Sequence, residues 1–228
     1  MNKEFAHPPL WNDIYDDKQY PVVPHSRPLP LTIEEVAARW HGCAMWWGGG
    51  WSLPAMLRRR EQEELILLAS DPEMPEGDIL EIGCGWGGST LLLAMANGLR
   101  NKNEKVFSVD SFVGEDADVR VALTRRSLRY ILDEAMLIVA DSKNLLSIWP
   151  ENMRRFRLVF IDGCHEPQVV MNDFINASKL TVPDGIIALH DSGMTPQHPW
   201  RECKEGQLPN FECIEPLVNT LGRIRVLS

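Results

Sequence analysis

The sequence predicts an α/β protein with a doubly wound, mostly parallel seven-stranded sheet that ends in an antiparallel hairpin. Three observations indicate this fold class. Short apolar runs alternate with helical segments from about residue 78 onward. These runs are nearly continuous in apolar residues rather than alternating, which is typical of strands buried on both faces of a parallel sheet. Two further β-like runs end the chain, and the few residues between them leave no room for a crossover helix.

The elements of this domain follow one another in the order that the fold requires. The predicted parallel strands cover residues 78–83, 105–110, 135–141, 156–162 and 185–191. The predicted helices between them cover residues 87–99, 118–132, 142–149 and 166–180. The closing runs, 211–217 and 221–228, should pair with each other at the edge of the sheet.

The chain before this domain is predicted to form two smaller segments. Residues 1–30 hold six prolines and no helical period, which indicates an extended arm lying on the domain or on a partner subunit. Such an arm favours a homo-oligomer. Disorder is the alternative, although tryptophan and tyrosine in the arm favour docking. Residues 31–70 contain two predicted helices, 31–40 and 55–70, and are expected to form a helical cap. The ligand-binding domain is then 71–228.

The composition excludes several classes of protein. A net charge of −9 argues against binding to nucleic acid, which needs a basic surface. No run of eighteen apolar residues occurs, and the N-terminus lacks the apolar core of a signal peptide, so no membrane segment is expected. Five cysteines without a CxxC pair argue against a disulfide framework or a structural zinc site. A reducing cytoplasm is the expected location.

A glycine-rich turn after the first strand is the strongest motif in the sequence. Gly83, Gly85 and Gly88 fit the pattern GxGxxG between a strand and a helix, which alone would suggest a nicotinamide cofactor. Glu81 ends the strand and would repel a pyrophosphate, while suiting a cationic or hydroxyl-bearing ligand. Asp110 follows the next strand and suits ribose hydroxyls. The ligand is therefore expected to contain a nucleoside without a pyrophosphate; a plain glycine turn is the alternative.

The pattern ExGxGxG at residues 81–87, followed by Asp110, resembles the class I S-adenosylmethionine-dependent methyltransferases over about residues 50–228. The resemblance implies a seven-stranded sheet whose last strand is antiparallel. It places Gly83 and Gly85 near the methionine part of the cofactor, and Asp110 at the ribose. The residues that would bind the cofactor are Glu81, Gly83, Gly85, Ser89, Asp110, Ser111, Asp141, Ser142 and Asp162. Asp141 and Ser142, near the adenine, would also serve as a helix N-cap.

The ends of the fourth and fifth strands carry the candidate catalytic groups. Asp162 ends the fourth strand, and His190 with Asp191 ends the fifth. If these strands are neighbours, the three side chains can converge on one divalent cation. Mg²⁺ prefers oxygen ligands, whereas His190 favours a softer metal or is no ligand at all. The alternative is hydrogen bonding to substrate or capping of the strand ends.

The stretch "IDGCHEPQVVMNDF", together with "IIALHDS", resembles the metal-assisted small-molecule O-methyltransferases of bacterial natural-product pathways. These include macrolide-sugar methyltransferases and relatives of cephalosporin-pathway enzymes. The resemblance implies that Asp162 and an acidic pair after the fifth strand hold Mg²⁺, and that His165 is the general base. Asp191 matches the second acid of that pair, but His190 replaces the first. The catechol-type branch has a lysine at the position of His165, so catechol chemistry is less favoured.

The chemistry of methyl transfer explains why such residues are needed. A hydroxyl group is a weak nucleophile, and a histidine titrates near neutral pH and can accept its proton. A thiol mechanism for Cys164 is disfavoured because adjacent side chains point apart, and a small, half-buried role is expected. His165 packed at the start of a helix without a chemical role is the alternative to a base.

Two loops are predicted to cover the site. Residues 192–210 are expected to be a long structureless lid that carries His198 and Trp200 toward the substrate. A glycine-rich loop with Trp46, Trp47 and Trp51 would approach from the other side and complete a substrate slot. Filling of the core or of a subunit contact by these tryptophans is the alternative.

Together the motifs predict a cytoplasmic S-adenosylmethionine-dependent O-methyltransferase that acts on a small hydroxylated metabolite, such as a sugar or a natural-product scaffold. Asp162 and Asp191 would hold the metal or the substrate, with Mg²⁺ or another divalent cation as a second cofactor. Methyl transfer to nitrogen or carbon, or use of the cofactor without methylation, is the alternative within the enzyme class. A nucleotide-binding regulatory subunit without catalysis is the alternative outside it.

Overall fold

The structure is a computed structural model that describes residues 57–100, 102–114, 117–128, 135–150, 155–192, 198–215 and 220–227. The predicted arm, residues 1–30, lies outside these ranges. So do residues 31–56 of the predicted cap, including the tryptophan-rich loop. Among the residues that are described, no helix has the length and apolar character needed to cross a membrane.

The described strands form one seven-stranded sheet. The strands are β1 (Asp78–Ile82), β2 (Val106–Asp110), β3 (Ala135–Val139), β4 (Phe156–Ile161), β5 (Thr181–His190), β6 (Phe211–Ile214) and β7 (Leu221–Val226). Their spatial order is β3-β2-β1-β4-β5-β7-β6. Strands β1 to β5 are parallel, whereas β7 runs antiparallel to both β5 and β6. The predicted fold class and the C-terminal hairpin at the sheet edge are confirmed.

Helices connect the strands much as the sequence predicted. They are α1 (Arg59–Ser70), α2 (Gly88–Asn97), α3 (Ala117–Leu128), α4 (Leu145–Ile148), α5 (Pro167–Leu180) and α6 (Pro199–Lys204). Short 3₁₀ turns follow α2, at Gly98–Arg100, and precede α4, at Ser142–Asn144. Pro167 stands in the first turn of α5, where its missing N–H group costs nothing.

Helix α6 corrects the expectation of a structureless lid over residues 192–210. Pro199 fits the first turn of a helix, and the Nδ1 atom of His198 accepts a hydrogen bond from the backbone N–H of Trp200 at 3.3 Å. The sequence contained the proline, but a cap made by a histidine is an uncommon signal. Only residues 193–197 of this segment lie outside the described part of the chain.

The two aromatic residues expected to face the substrate are buried instead. Trp200 packs against β7, where a Cβ atom added at Gly222 would lie 2.5 Å from the indole Cγ. His198 is also buried, and burial lowers the pKa of its imidazole to about 4. Trp200 therefore belongs to the packing of the C-terminal hairpin, whereas His198 is buried near the end of β5, where the backbone of His190 and the charge of Asp191 act on its pKa.

The sheet separates two hydrophobic clusters, one on each face. Successive residues of β4 alternate between them: Leu158 packs with α1 and α2, and Val159 packs with α4, α5 and α6. Both side chains are fully buried. This double burial is what the nearly continuous apolar strands predicted, and it fixes the strand ends at one edge of the sheet.

Candidate functional site

Two adjoining cavities open where the parallel strands end. The larger has a volume of about 770 Å³ and extends from β1 toward the ends of β2 and β3. The smaller has a volume of about 400 Å³ and extends toward α1 and the end of β5. Both are bordered by Gly83, Gly85, Asp162 and Gly163. A volume of several hundred Å³ suits a small-molecule site at the carboxyl edge of a parallel sheet.

The glycine loop forms the wall between the two cavities. Gly83 has φ +87°, and a Cβ atom there would lie 2.4 Å from the backbone oxygen of Asp162. Only glycine therefore allows β1 and β4 to end side by side. Gly85 also has a positive φ, +53°, but no atom lies within 4 Å of where its Cβ would be. The second glycine leaves open space at the junction of the cavities.

Asp110 holds the glycine loop in place. Its Oδ2 accepts hydrogen bonds from the backbone N–H groups of Cys84, at 3.0 Å, and Gly85, at 2.9 Å. Its Oδ1 accepts one from Phe112 at 2.6 Å. Asp110 and Ser111, two of the predicted cofactor-binding residues, both border the larger cavity. The sequence predicted the position of this carboxylate but not its bonds to the loop.

Glu81 is turned away from both cavities, which corrects the expectation that its carboxylate faces the ligand. It is fully buried, and its Oε2 accepts hydrogen bonds from the hydroxyl groups of Thr90 and Ser108. Burial raises the pKa of Glu81 to about 7 in spite of these bonds. Because successive side chains of a strand point to opposite faces, Glu81 supports α2 and β2 from below the loop.

The far end of the larger cavity is formed by the turn after β3. Asp141 caps this turn by accepting a hydrogen bond from the backbone N–H of Lys143 at 3.0 Å. The ammonium group of Lys143 lies 2.7 Å from the same carboxylate and holds the pKa of Asp141 below its ordinary value. Asp141 and Ser142 border the cavity as well, so the capping role and a ligand-facing position coexist.

An ion-pair chain borders the smaller cavity. Nδ1 of His190 lies 2.9 Å from Oδ1 of Asp162, and Nε2 of the same ring lies 3.4 Å from Oε2 of Glu61. Burial favours a neutral ring, but the two carboxylates outweigh it and raise the pKa of His190 to about 10. The ring is therefore an imidazolium at neutral pH.

Glu61 is the site residue that sequence reasoning missed. It lies in the first turn of α1, where it accepts a hydrogen bond from the backbone N–H of Arg58 at 2.6 Å and one from the hydroxyl group of Thr220. Burial opposes its ionisation, yet His190, Thr220 and Arg58 lower the pKa of Glu61 to about 2. Its acidic position near a helix start is an ordinary feature, so no sequence signal linked it to β5.

His165 and Asp191 complete the mouth of the smaller cavity. Nδ1 of His165 lies 3.5 Å from Oδ2 of Asp191, and the His165 and His190 rings are 6.4 Å apart. The side chain of His165 is 60% exposed, so solvent and substrate can reach it. Cys164, expected to be half-buried, is exposed. Ser89, at the start of α2, borders the same cavity.

The predicted metal ligands are brought together, but they do not fit a divalent cation. Over the described ranges, no group of three or more His, Cys, Asp or Glu side chains is arranged to hold a metal ion. Nδ1 of His190 instead lies 2.9 Å from Oδ1 of Asp162 and 3.6 Å from Oδ2 of Asp191, so the three side chains pair directly with one another. Asp162, Asp191 and His190 are therefore an ion-pair cluster in this structure.

Comparison with known protein families gives a match for the part of the chain that holds this site. Residues 80–192 match a family model described as a methyltransferase domain. The matched residues run from β1 to just past the end of β5, so they include the lining of the larger cavity and, except for Arg58 and Glu61, that of the smaller one. No curated protein matches the chain.

Several solved structures share the fold. One is the O-methyltransferase TomG from Streptomyces achromogenes, which is involved in tomaymycin synthesis and was solved with S-adenosylmethionine. It is 16% identical to this chain, with a TM-score of 0.60, and the match covers 85% of this chain and 90% of that chain. The O-methyltransferase NovP is 19% identical, with a TM-score of 0.58 and coverages of 76% and 82%. A Streptococcus thermophilus rRNA methylase is 20% identical, with a TM-score of 0.51 and coverages of 76% and 100%. At such identities the likeness concerns the fold alone, and these neighbours differ in what they methylate.

Proposed function

Residues 80–192 belong to the methyltransferase-domain family and the chain is an S-adenosylmethionine-dependent methyltransferase; from this premise we propose that it methylates a hydroxyl oxygen of a small metabolite. The observation that carries the proposal is the convergence of an exposed histidine and three carboxylates on a cavity next to the cofactor cavity. The carboxylates belong to Glu61, Asp162 and Asp191. Such a lining favours a polar acceptor that can donate hydrogen bonds.

The larger cavity fits the cofactor. Its volume of about 770 Å³ suits a nucleoside with an amino-acid side arm, and Asp110 and Ser111 border it where ribose hydroxyls need acceptors. The open space beside Gly85 lets the backbone approach a ligand closely. When bound, S-adenosylmethionine supplies an electrophilic methyl group. The smaller cavity, which adjoins the same loop, is then the place for the acceptor.

His165 is the proposed general base. Its ring stands at the mouth of the acceptor cavity, and Asp191 lies 3.5 Å from Nδ1 and can hold the ring in one orientation. Nε2 then faces outward and can take the proton that the acceptor hydroxyl loses. This arrangement makes Asp191 a positioning residue.

Asp162 is proposed to hold the acceptor rather than to remove its proton. It stands at the junction of both cavities and is paired with His190, while burial raises the pKa of Asp162. A buried carboxylate that already has a cationic partner can still accept a hydrogen bond from a substrate hydroxyl through its second oxygen. Orientation of that hydroxyl contributes to the rate by bringing it close to the methyl group.

No step is assigned to a divalent cation. The sequence predicted cation assistance, with Asp162 and Asp191 as oxygen ligands and His190 as a third candidate ligand. In the structure, His190 pairs directly with both carboxylates instead. We further propose a small-molecule acceptor, no nucleic-acid partner, a homo-oligomer and a reducing cytoplasm. The acidic net charge supports the first two, and the described cysteines, all of them free thiols, agree with the last.

Methyl transfer from labelled S-adenosylmethionine to panels of sugars, phenols and amines tests the function. We expect product from a hydroxylated acceptor, with an O-methyl signal by NMR; an N-methyl or C-methyl product would overturn the oxygen assignment. His165→Gln should lower kcat roughly 10²- to 10⁴-fold without changing the affinity for S-adenosylhomocysteine. Glu166→Gln is the matched control, because this neighbour is exposed and its side chain makes no cap hydrogen bond. Unchanged turnover in His165→Gln would remove the base.

A further inference from the structure

Asp173 is a buried acid that none of the roles above uses. It lies on α5, is 1% exposed, and borders the larger cavity. The hydroxyl group of Ser142 hydrogen bonds to its carboxylate. Oδ1 has no hydrogen-bond partner among the residues that the structure describes. A buried carboxylate oxygen without a partner is costly, so a donor from a bound ligand is a physical explanation for it.

The position of Asp173 identifies which part of the cofactor it can meet. In the sheet order, β3 lies beyond β2, and Asp110 ends β2. Ser142 begins the turn that follows β3, so its partner Asp173 stands at the end of the cavity beyond Asp110. The loop at Gly83 and the acceptor cavity are on the other side of Asp110. A nucleoside whose ribose meets Asp110 therefore directs its base toward Asp173.

The chemistry of the group restricts the base. Burial raises the pKa of Asp173 to about 6, although the hydrogen bond from Ser142 acts to lower it. Above pH 7 the carboxylate is therefore ionised and can only accept hydrogen bonds. An amino-purine offers an exocyclic NH₂ donor to such an oxygen. A 6-oxo-purine offers a carbonyl oxygen at the same place, and two oxygens facing each other repel.

We propose that the free oxygen of Asp173 accepts a hydrogen bond from the exocyclic amino group of the adenine ring and makes the cavity selective for adenine over hypoxanthine. The proposal rests on the assignment of S-adenosylmethionine as the cofactor. It goes beyond the predicted adenine contacts, Asp141 and Ser142, because it assigns the selection to Asp173, which lies on α5 and not in the turn after β3. Asp173 would thereby be a specificity-determining residue.

Calorimetric titration of the full chain at pH 8 tests this proposal with two probes, S-adenosylhomocysteine and S-inosylhomocysteine. The wild-type chain should prefer the adenosyl compound by roughly tenfold or more. Asp173→Asn replaces an acceptor oxygen by an NH₂ donor of the same shape, so the preference should disappear or reverse. Ser178→Ala changes a side chain of the same helix that borders neither cavity, so the preference should remain.

Each contrary outcome has a distinct meaning. Equal affinity of the wild-type chain for both probes, or an unchanged preference in Asp173→Asn, would overturn the role of Asp173. Loss of the preference in Ser178→Ala to the same extent would also overturn it, because a general change in the helix and not the Asp173 oxygen would then govern the selection. If Asp173→Asn does not fold, Asp173→Ser must show the same loss of preference. Failure of the wild-type chain to bind S-adenosylhomocysteine would instead contradict the cofactor itself.

Discussion

Asp162 and His190 lie 2.9 Å apart and join the end of β4 to the end of β5. Glu61 lies on the other side of the same ring, so helix α1 is tied to both strands. One imidazolium therefore stands between two carboxylates, and all three side chains are largely buried. Because a buried charge without its partner is costly, this contact contributes to stability as well as to the shape of the acceptor cavity.

His190→Gln should lower the free energy of unfolding by about 3 kcal/mol at pH 6, since it leaves two buried carboxylates without their cation. The effect depends on pH. The folded-state pKa of His190, about 10, exceeds the ordinary value of 6.5. The contribution of its charge to the free energy of unfolding is therefore complete below pH 6.5 and is lost as the pH rises through 10. Urea unfolding of both chains from pH 6 to pH 10 measures this difference.

An exposed ion pair provides the control for that measurement. Arg225 and Glu212 lie 2.7 Å apart on the C-terminal hairpin, and both side chains are more than one-third exposed. Arg225→Gln should change the free energy of unfolding by less than about 1 kcal/mol. If His190→Gln behaved like this variant, or if its effect grew with rising pH, the imidazolium at the end of β5 would be ruled out.

His190→Asp should create the cation site that the wild-type chain does not provide. The substitution removes a positive ring and places a fourth carboxylate beside Glu61, Asp162 and Asp191, which are hard oxygen ligands suited to Mg²⁺ or Mn²⁺. Calorimetric titration with Mn²⁺ should show one site in the variant and none in the wild-type chain. Turnover of the wild-type enzyme should survive EDTA treatment. Saturable Mn²⁺ binding to the wild-type chain at this site would contradict the ion-pair account.

The fold could be predicted from the sequence because its signals are local and repeated. Nearly continuous apolar strands such as 156–162, separated by helical segments, leave few alternatives to a doubly wound sheet. Helix α6 was missed because it is short and is capped by His198, a residue that rarely has this role. The burial of Trp200 was missed because it depends on Gly222 in a distant strand.

Gly83 and Gly85 should respond very differently to alanine. A Cβ atom at Gly83 would overlap the backbone of β4, so Gly83→Ala should lose more than about 2 kcal/mol of unfolding free energy or fail to fold. Gly85→Ala meets no neighbouring atom and should cost only the left-handed backbone penalty, about 1 kcal/mol. Thermal unfolding followed by circular dichroism compares the two, and equal losses would contradict the close contact at Gly83.

Glu81→Gln tests whether the buried acid is structural. The pKa of Glu81 is raised from 4.5 to about 7 in the folded chain. The stability that its protonated carboxyl group contributes is therefore complete below pH 4.5 and is lost as the pH rises through 7. A neutral glutamine does not ionise. The variant should therefore gain stability relative to the wild-type chain between pH 5 and pH 8 in urea unfolding. A constant difference over this range would mean that Glu81 is not titrating there.

Several residues of the candidate site were predictable from the sequence, but the contacts between them were not. Asp162, His165 and Asp191 were found because strand ends meet at one edge of a parallel sheet. Glu61 was missed because only the three-dimensional packing of α1 brings it to β5. The predicted orientation of Glu81 was wrong. Successive side chains of a strand point to opposite faces of the sheet, and the sequence alone did not show which face held the ligand.

The most direct test of the account is calorimetric titration of the full chain with S-adenosylhomocysteine, using wild type and Asp110→Ala. The wild-type chain should bind one molecule per chain. Asp110→Ala should bind at least roughly tenfold more weakly, because it removes a carboxylate that both borders the cavity and holds the glycine loop. Absence of binding to the wild-type chain, or equal affinity in the two chains, would contradict the assignment of this cavity to S-adenosylmethionine.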